Sequence, residues 1–207
     1  GVRAYSGLRH DRLPDQLLRY ITGPDIDPLT KRMALDIASD CLLSELFDHI
    51  VHMVKSDQVP HYLRVACART AAAIVPATQL AELVPMASGQ WGEDPDNDFK
   101  AAALKALVPQ FWSITDAAPY LTAPDEKVSG GSYWSCLQYY LPAQLTASDV
   151  PAILARIRDW HDALDSLSPF KPLSDAAMTL AVRDLPNAAT TEQLILTLLS
   201  TARTYRP

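Results

Sequence analysis

The position of the prolines constrains this fold more than any other feature. A proline has a fixed φ and no amide N–H, so it is tolerated in the first turn of a helix and breaks a helix interior. Val75-Pro76, Val108-Pro109 and Leu141-Pro142 follow one another at intervals of 33 and 33 residues, and Leu185-Pro186 extends the series after 44, which implies an insertion of about 11 residues. Pro60 falls in another such gap. Between these joints the apolar residues recur at helical spacing. Leu42, Leu43, Leu46, Phe47, Ile50, Val51 and Val54 form one stripe; Val150, Ile153, Leu154, Ile157, Trp160, Leu164 and Leu167 form a second; Leu194, Ile195, Leu198 and Leu199 form a third. Runs of alternating β-branched residues are missing. The spacing predicts helices over about 13–21, 29–39, 42–55, 60–74, 77–88, 97–108, 114–121, 132–141, 149–166, 173–184 and 190–205.

A helix pair that repeats every ~30–45 residues is the signature of an α-solenoid, because one pair cannot bury its own apolar face and must stack on the next. Arg32, Arg64 and Lys100 sit at similar places upstream of successive joints. Ala66, Ala68, Ala71–Ala73, Ala101–Ala103 and Ala106 supply the small side chains that let helices approach closely. The expected fold is therefore all-α, an α-α superhelix of the HEAT/armadillo-like kind. A short extension over 1–10 precedes a single solenoid domain over 11–207; an irregular helical bundle is the alternative. Capping residues are expected at Asp96 or Asn97, at Ser148 or Asp149, and at Thr190 or Thr191 with Glu192.

Composition narrows the chemistry. The 207 residues hold 16 Pro and only 7 Gly, and phosphate-cradling loops need glycine. GxxxxGK[ST], GxGxxG and GxSxG are all missing from the sequence. The net charge is −6 with scattered cations (Arg32, Arg64, Lys100, Arg156, Arg203), so no nucleic-acid partner is expected. Cys41, Cys67 and Cys136 have neither zinc spacing nor an even count, and read as buried thiols in a reducing compartment. The chain has no run of ~18 apolar residues and no signal-peptide pattern, so a cytoplasmic, membrane-free location is expected. A start at Gly1 rather than Met suggests a fragment of something longer.

Two clusters resemble metal sites. His49 and His52, with Glu45 and Asp48, share one face of a helix, but that face is also the polar side of an amphipathic helix. Asp94, Asp96 and Asp98 have the 1, 3, 5 spacing of a calcium loop, yet Phe99 stands where glycine is needed and Lys105 where glutamate is needed. A solvated face and an acidic helix cap are the expected roles, with no metal and no cofactor. Aromatics bunch in the second half: Trp91, Phe111, Trp112, Tyr120, Tyr133, Trp134, Tyr139, Tyr140 and Trp160. Most are expected to fill gaps between helices. The segment from Thr122 to Ser132, with the Gly130-Gly131 doublet, is expected to be a surface loop. Trp112, Tyr133 and Trp134 beside it are expected as exposed anchors, and Trp112, Lys127, Gly130, Gly131, Tyr133 and Trp134 form the candidate interaction surface.

The stretch Asp98-Phe99-Lys100-Ala101-Ala102-Ala103-Leu104-Lys105-Ala106-Leu107-Val108-Pro109 resembles a helix of large bacterial NACHT/STAND-type NTPases. Leu121-Thr122-Ala123-Pro124 with Lys127, and Gly131-Ser132-Tyr133, resemble the loop and the Gly-x-Tyr that follow it. Leu141-Pro142 with Leu145 to Pro151, and Pro169-Phe170 with Leu173-Ser174-Asp175-Ala176, continue the resemblance. It covers roughly 95–205 and, more weakly, 10–95. Ala101 stands for the family's Gly, Val108 for its Trp, and Asp125-Glu126 interrupt its Pro-Pro-Lys. The motif is not catalytic in that family. The resemblance implies a non-catalytic helical-repeat region that senses a ligand or binds other proteins, in a parent whose nucleotide chemistry lies elsewhere and which serves antiviral defence. An independent HEAT-like adaptor binding a cellular protein is the alternative, and an enzyme on helical repeats, such as a DNA glycosylase, ranks last.

Overall fold

A computed structural model describes residues 4–123, 130–160 and 168–204. All regular structure among the described residues is helical. The chain divides into two compact units, residues 1–106 and 107–207.

The first unit contains α1 (Leu13–Thr22), α2 (Pro28–Asp40), α3 (Phe47–Lys55), α4 (His61–Ile74), the single turn α5 (Val84–Ala87) and α6 (Asp98–Leu107), which runs to the boundary. Helix α1 buries Leu13, Leu17 and Ile21, one residue per turn on one face. Helix α2 starts where the Asp27 carboxylate accepts the Thr30 N–H at 3.0 Å, with Pro28 in its first turn. Helix α4 packs on both α2 and α3, and the buried Thr70 hydroxyl donates to the Leu35 carbonyl at 3.4 Å across the first of these seams. The extension before α1 is tied to the end of α2. The Tyr5 N–H donates to Asp40, the Cys41 thiol to the Tyr5 carbonyl, and the Arg9 guanidinium to the Cys41 carbonyl, each at 3.1 Å. Helix α6 is buried on nearly every side, with Lys105 its one exposed residue, which is why alanine fills it.

The second unit contains α7 (Ile114–Ala117), α8 (Gly131–Ser135), α9 (Leu141–Gln144), α10 (Val150–Ile157), α11 (Lys171–Arg183) and α12 (Ala188–Thr204). Helices α10, α11 and α12 pack on one another. The buried Thr197 hydroxyl donates to the Leu154 carbonyl at 3.0 Å, and Arg158 reaches both groups from the side.

The prolines do not all do the same work. Pro76 separates α4 from a 3-10 helix over Ala77–Leu83, and Pro186 separates α11 from α12, as expected. Pro109 follows a cis peptide bond and leads into a turn rather than a helix. Pro142 lies inside a continuous helical run over 131–144, where a break was expected. The ring of Pro142 would meet the Gln138 carbonyl and leave it without a donor. The backbone widens to a π-helix over Cys136–Tyr140 just before it, which relieves that clash. The predicted helix over 77–88 is mostly 3-10, because Pro85 has no N–H for the Ala81 carbonyl. That over 114–121 becomes α7 plus a 3-10 turn, Ala118–Tyr120, around Pro119. The predicted helix over 149–166 ends at Ile157 and gives way to a turn over 158–160, while residues 161–166 lie outside the described residues.

The expected caps shift by a few residues. Helix α6 is capped by Asp94, whose Oδ2 accepts the N–H groups of Phe99 at 2.9 Å and Lys100 at 3.1 Å, while Asn97 takes φ +55 in the left-handed region. The step into α10 is a capping box of Thr146 and Asp149. Helix α12 is approached by Asn187, whose side chain accepts from Ala189 and Thr190. For α6 and α10 a short turn lies between the capping side chain and the helix, whereas Asn187 directly precedes α12.

Candidate functional site

The predicted surface is built around the base of the 122–132 segment. Lys127 lies outside the described residues. Gly130 and Gly131 have φ +123 and +87, a backbone only glycine adopts without strain, and the space where a side chain would stand is open at both. Gly131 is exposed and begins α8. Two residues on, Tyr133 turns inward and is 1% exposed. Its phenol donates to the Thr122 carbonyl at 2.8 Å and accepts the Thr122 N–H at 3.0 Å, so one side chain pins both ends of the segment. Burial pushes that phenol up to about 12 from its usual 10, against the opposing effect of the Thr122 bonds. Tyr140 donates in the same way to the Val108 carbonyl at 2.5 Å.

Exposure of the anchors is corrected for two of the three. Trp112 is 9% exposed and stacks on Tyr120 with ring centroids 4.8 Å apart. Tyr133 is buried, as above, and Trp134 is half-buried. The exposed aromatics of the same region are Phe111 and Tyr139, at 48% and 71%. Along the helical run over 131–144, register explains the exchange. Tyr133, Cys136 and Leu137 share the inner face, and Tyr139 falls on the opposite one. Apolar size marked these aromatics in the sequence, but only register separates the inward from the outward ones.

The other sequence candidates resolve into structural roles. His49, His52, Glu45 and Asp48 are all exposed. Asp94 caps α6, and Asp98 pairs with Arg69 at 3.0 Å. Burial pushes the Asp94 carboxyl up and the Lys100 ammonium down. Cys41, Cys67 and Cys136 are buried and carry no disulfide; burial pushes the Cys67 thiol up to about 12, away from reactivity.

Two buried charged side chains have roles that spacing alone did not show. Arg64, 5% exposed, donates from Nε to the Val54 carbonyl at 2.7 Å and from Nη2 to the Trp91 carbonyl at 2.8 Å, with its guanidinium 5.2 Å from the Phe99 ring. Gly92 makes room for it: a Cβ there would lie 2.6 Å from Nη2. Asp149, 3% exposed, accepts from the N–H and hydroxyl of Thr115 at 3.1 and 3.0 Å and from those of Thr146 at 3.1 and 2.5 Å.

Two surface features of the second unit also escaped the sequence reading. An open groove of about 330 Å³ runs between the α7 region and α10, lined by Thr115, Ala118, Pro119, Ala152, Ala155, Arg156 and Asp159. Arg156 is held from one side by Asp159 at 3.3 Å, while its Nε is buried and has no partner among the described residues. The spacing 152, 155, 156, 159 puts these residues on one face of α10, which is the signal available in the sequence. Separately, α11, the turn after it and α12 leave Val182, Leu185, Ile195, Leu196, Leu198 and Leu199 between 42% and 60% exposed. Compared with protein-family models, with curated proteins and with solved structures, the chain matches none of them.

Proposed function

We propose that this chain is a non-catalytic helical-repeat region of a STAND-type NTPase, acting as a sensor or scaffold that recognises a ligand or another protein. The observation that carries the reading is the pattern of packing. In each unit a helix rests on helices close to it in sequence, α4 on α2 and α3, α12 on α10 and α11. Packing between helices close in sequence supports a reading as stacked repeats. The exposed apolar face of α11 and α12 is also what a repeat unit turns toward a neighbour. The resemblance of residues 95–205 to the NACHT/STAND repeat region supplies the family. In this reading the repeats form a HEAT-like superhelix, and ligand binding biases the parent between a closed and an assembled state. The test is the full reading frame. A phosphate-loop motif upstream of Gly1 is the expected result, and a frame without one overturns the STAND assignment.

A further inference from the structure

Helix α12 is amphipathic with its faces exchanged. Among its described residues it buries Thr190, Leu194 and Thr197, a stripe that is mostly polar. On the opposite side it presents Ile195, Leu196, Leu198 and Leu199, each about half exposed. The inward threonines are fastened in place. The Thr190 hydroxyl donates to Asp184 at 3.0 Å, and the Thr197 hydroxyl donates to the Leu154 carbonyl at 3.0 Å. Rolling the helix to bury its aliphatic side would break both bonds and leave buried polar groups without partners. Val182 in the last turn of α11 and Leu185 just after it are exposed as well. Large aliphatics gathered on one side of a helix and left in water mark an interaction surface.

Three features fit a second copy of the same chain to this surface. An interface with two-fold symmetry needs a patch that is complementary to itself. Ile195, Leu196, Leu198 and Leu199 are symmetric about position 197. Two antiparallel α12 helices crossing there set Ile195 against the partner's Leu199 and Leu196 against the partner's Leu198. The charges agree with that direction. The sequence has no charged residue between Glu192 and Arg203, so antiparallel copies bring the acidic end of each apolar stretch to the basic end of the other. The area is also adequate. Six aliphatic side chains about half exposed give roughly 600 Å² of apolar surface per protomer, most of the ~800 Å² that a standard interface buries on each side. A helix that lies on a bilayer borders its apolar face with Lys and Arg, and residues 188–202 contain neither. We propose that two copies of this chain associate through α12, antiparallel about a two-fold axis near position 197, with Ile195, Leu196, Leu198 and Leu199 as the core of the interface. The face that the scaffold reading turns toward a neighbour takes the same face of a second copy. The pairing does not depend on the STAND assignment.

Sedimentation velocity of the full chain, over a concentration series up to about 100 μM, is the test. A dimer that dissociates on dilution is expected. Leu199→Glu sets a carboxylate against the partner's apolar stripe and should weaken the dimer at least a hundredfold, with the helical circular dichroism unchanged because the position faces outward. Glu192→Arg puts like charges at both ends of the stripe and should weaken it about tenfold. Glu192→Arg combined with Arg203→Glu restores unlike ends and should return the affinity to that of the wild type. Should Leu199→Glu unfold, the charge exchange still decides the matter. A chain that stays monomeric at every concentration overturns the proposal, as does a dimer that survives Leu199→Glu in a folded chain. A double variant no tighter than Glu192→Arg alone overturns the antiparallel pairing. A monomer that binds phosphatidylcholine vesicles, and loses them on Leu199→Glu, overturns the dimer and assigns the face to lipid. A reading frame without a phosphate loop overturns the STAND assignment and leaves the dimer standing.

Discussion

Arg64 in the first unit and Asp149 in the second are both almost fully buried and carry opposite charges, and each is spent on backbone groups. Arg64 donates to the Val54 carbonyl in the last turn of α3 and to the Trp91 carbonyl in the loop before α6. Asp149 accepts the N–H of Thr115 in the first turn of α7 and the N–H of Thr146 ahead of α10. A helix leaves its final carbonyls and its first N–H groups without partners inside the helix. The cation therefore stands at a carbonyl end and the anion at two amide ends, the arrangement the helix dipole favours. The difference shows what these short, proline-punctuated helices demand. Every break creates orphaned backbone groups, and a buried charge of the matching sign gathers several of them at once.

The largest expected effect is on the cationic side. Arg64→Met leaves two buried carbonyls without donors and removes the guanidinium from the Phe99 ring, which should cost about 4 kcal/mol. Urea unfolding of the purified chain measures it. Arg64→Lys keeps the charge but has no fork to span both carbonyls, so it should recover less than half of that. Asp149→Ala should cost about 3 kcal/mol, because two N–H groups lose their acceptor while the two threonine hydroxyls can turn toward water. If the aspartate variant proves the more damaging, the ranking reverses, and the amide ends rather than the carbonyl ends are the costlier to leave open.

The sequence made some of this legible. Helical periodicity placed α2, α4, α6, α11 and α12 close to where they lie, because each holds four or more apolar residues in register. It overestimated regularity wherever proline falls late in a stripe, as at Pro85, Pro119 and Pro142. There the apolar spacing continues but the hydrogen-bond ladder cannot, and the backbone tightens to 3-10 or widens to π. Arg64 was visible as a cation at a repeated position, but not as a buried one. Its partners are carbonyls, and a carbonyl leaves no mark in a sequence. The same holds for Tyr133, whose size suggested an anchor and whose hydroxyl makes it a clasp.

Tyr133 sharpens the comparison, since it serves the second unit without any charge at neutral pH. Its folded pKa is raised to about 12 from the ordinary 10 of an unfolded chain. A raised pKa means that its stabilisation is fully present below pH 10 and is lost as pH rises toward 12, on the order of 2 kcal/mol. Tyr133→Phe should cost about 1 kcal/mol at pH 7 and should flatten the decline above pH 10. Thermal melts of both proteins across that range provide the measurement. Equal slopes would mean that the phenol is not what closes the 122–133 segment.

The smallest expected effect tests whether Arg64 is held by carbonyls or by a counter-charge. Asp57 is its one ion-pair partner among the described residues, at 3.7 Å, and that carboxylate is 85% exposed. An exposed carboxylate at that distance is screened by water and contributes about 0–1 kcal/mol. The Val54 and Trp91 carbonyls are shorter contacts, at 2.7 and 2.8 Å, and are buried with the guanidinium. Asp57→Asn should therefore change the unfolding free energy by less than about 0.5 kcal/mol, and adding salt should change the stability of the wild-type chain as little through this pair. A loss of more than about 1 kcal/mol, reduced by salt, would show that the buried cation depends on its surface partner. The contrast with Asp149, which is satisfied by N–H and hydroxyl donors alone among the contacts described, would then be one of burial rather than of sign.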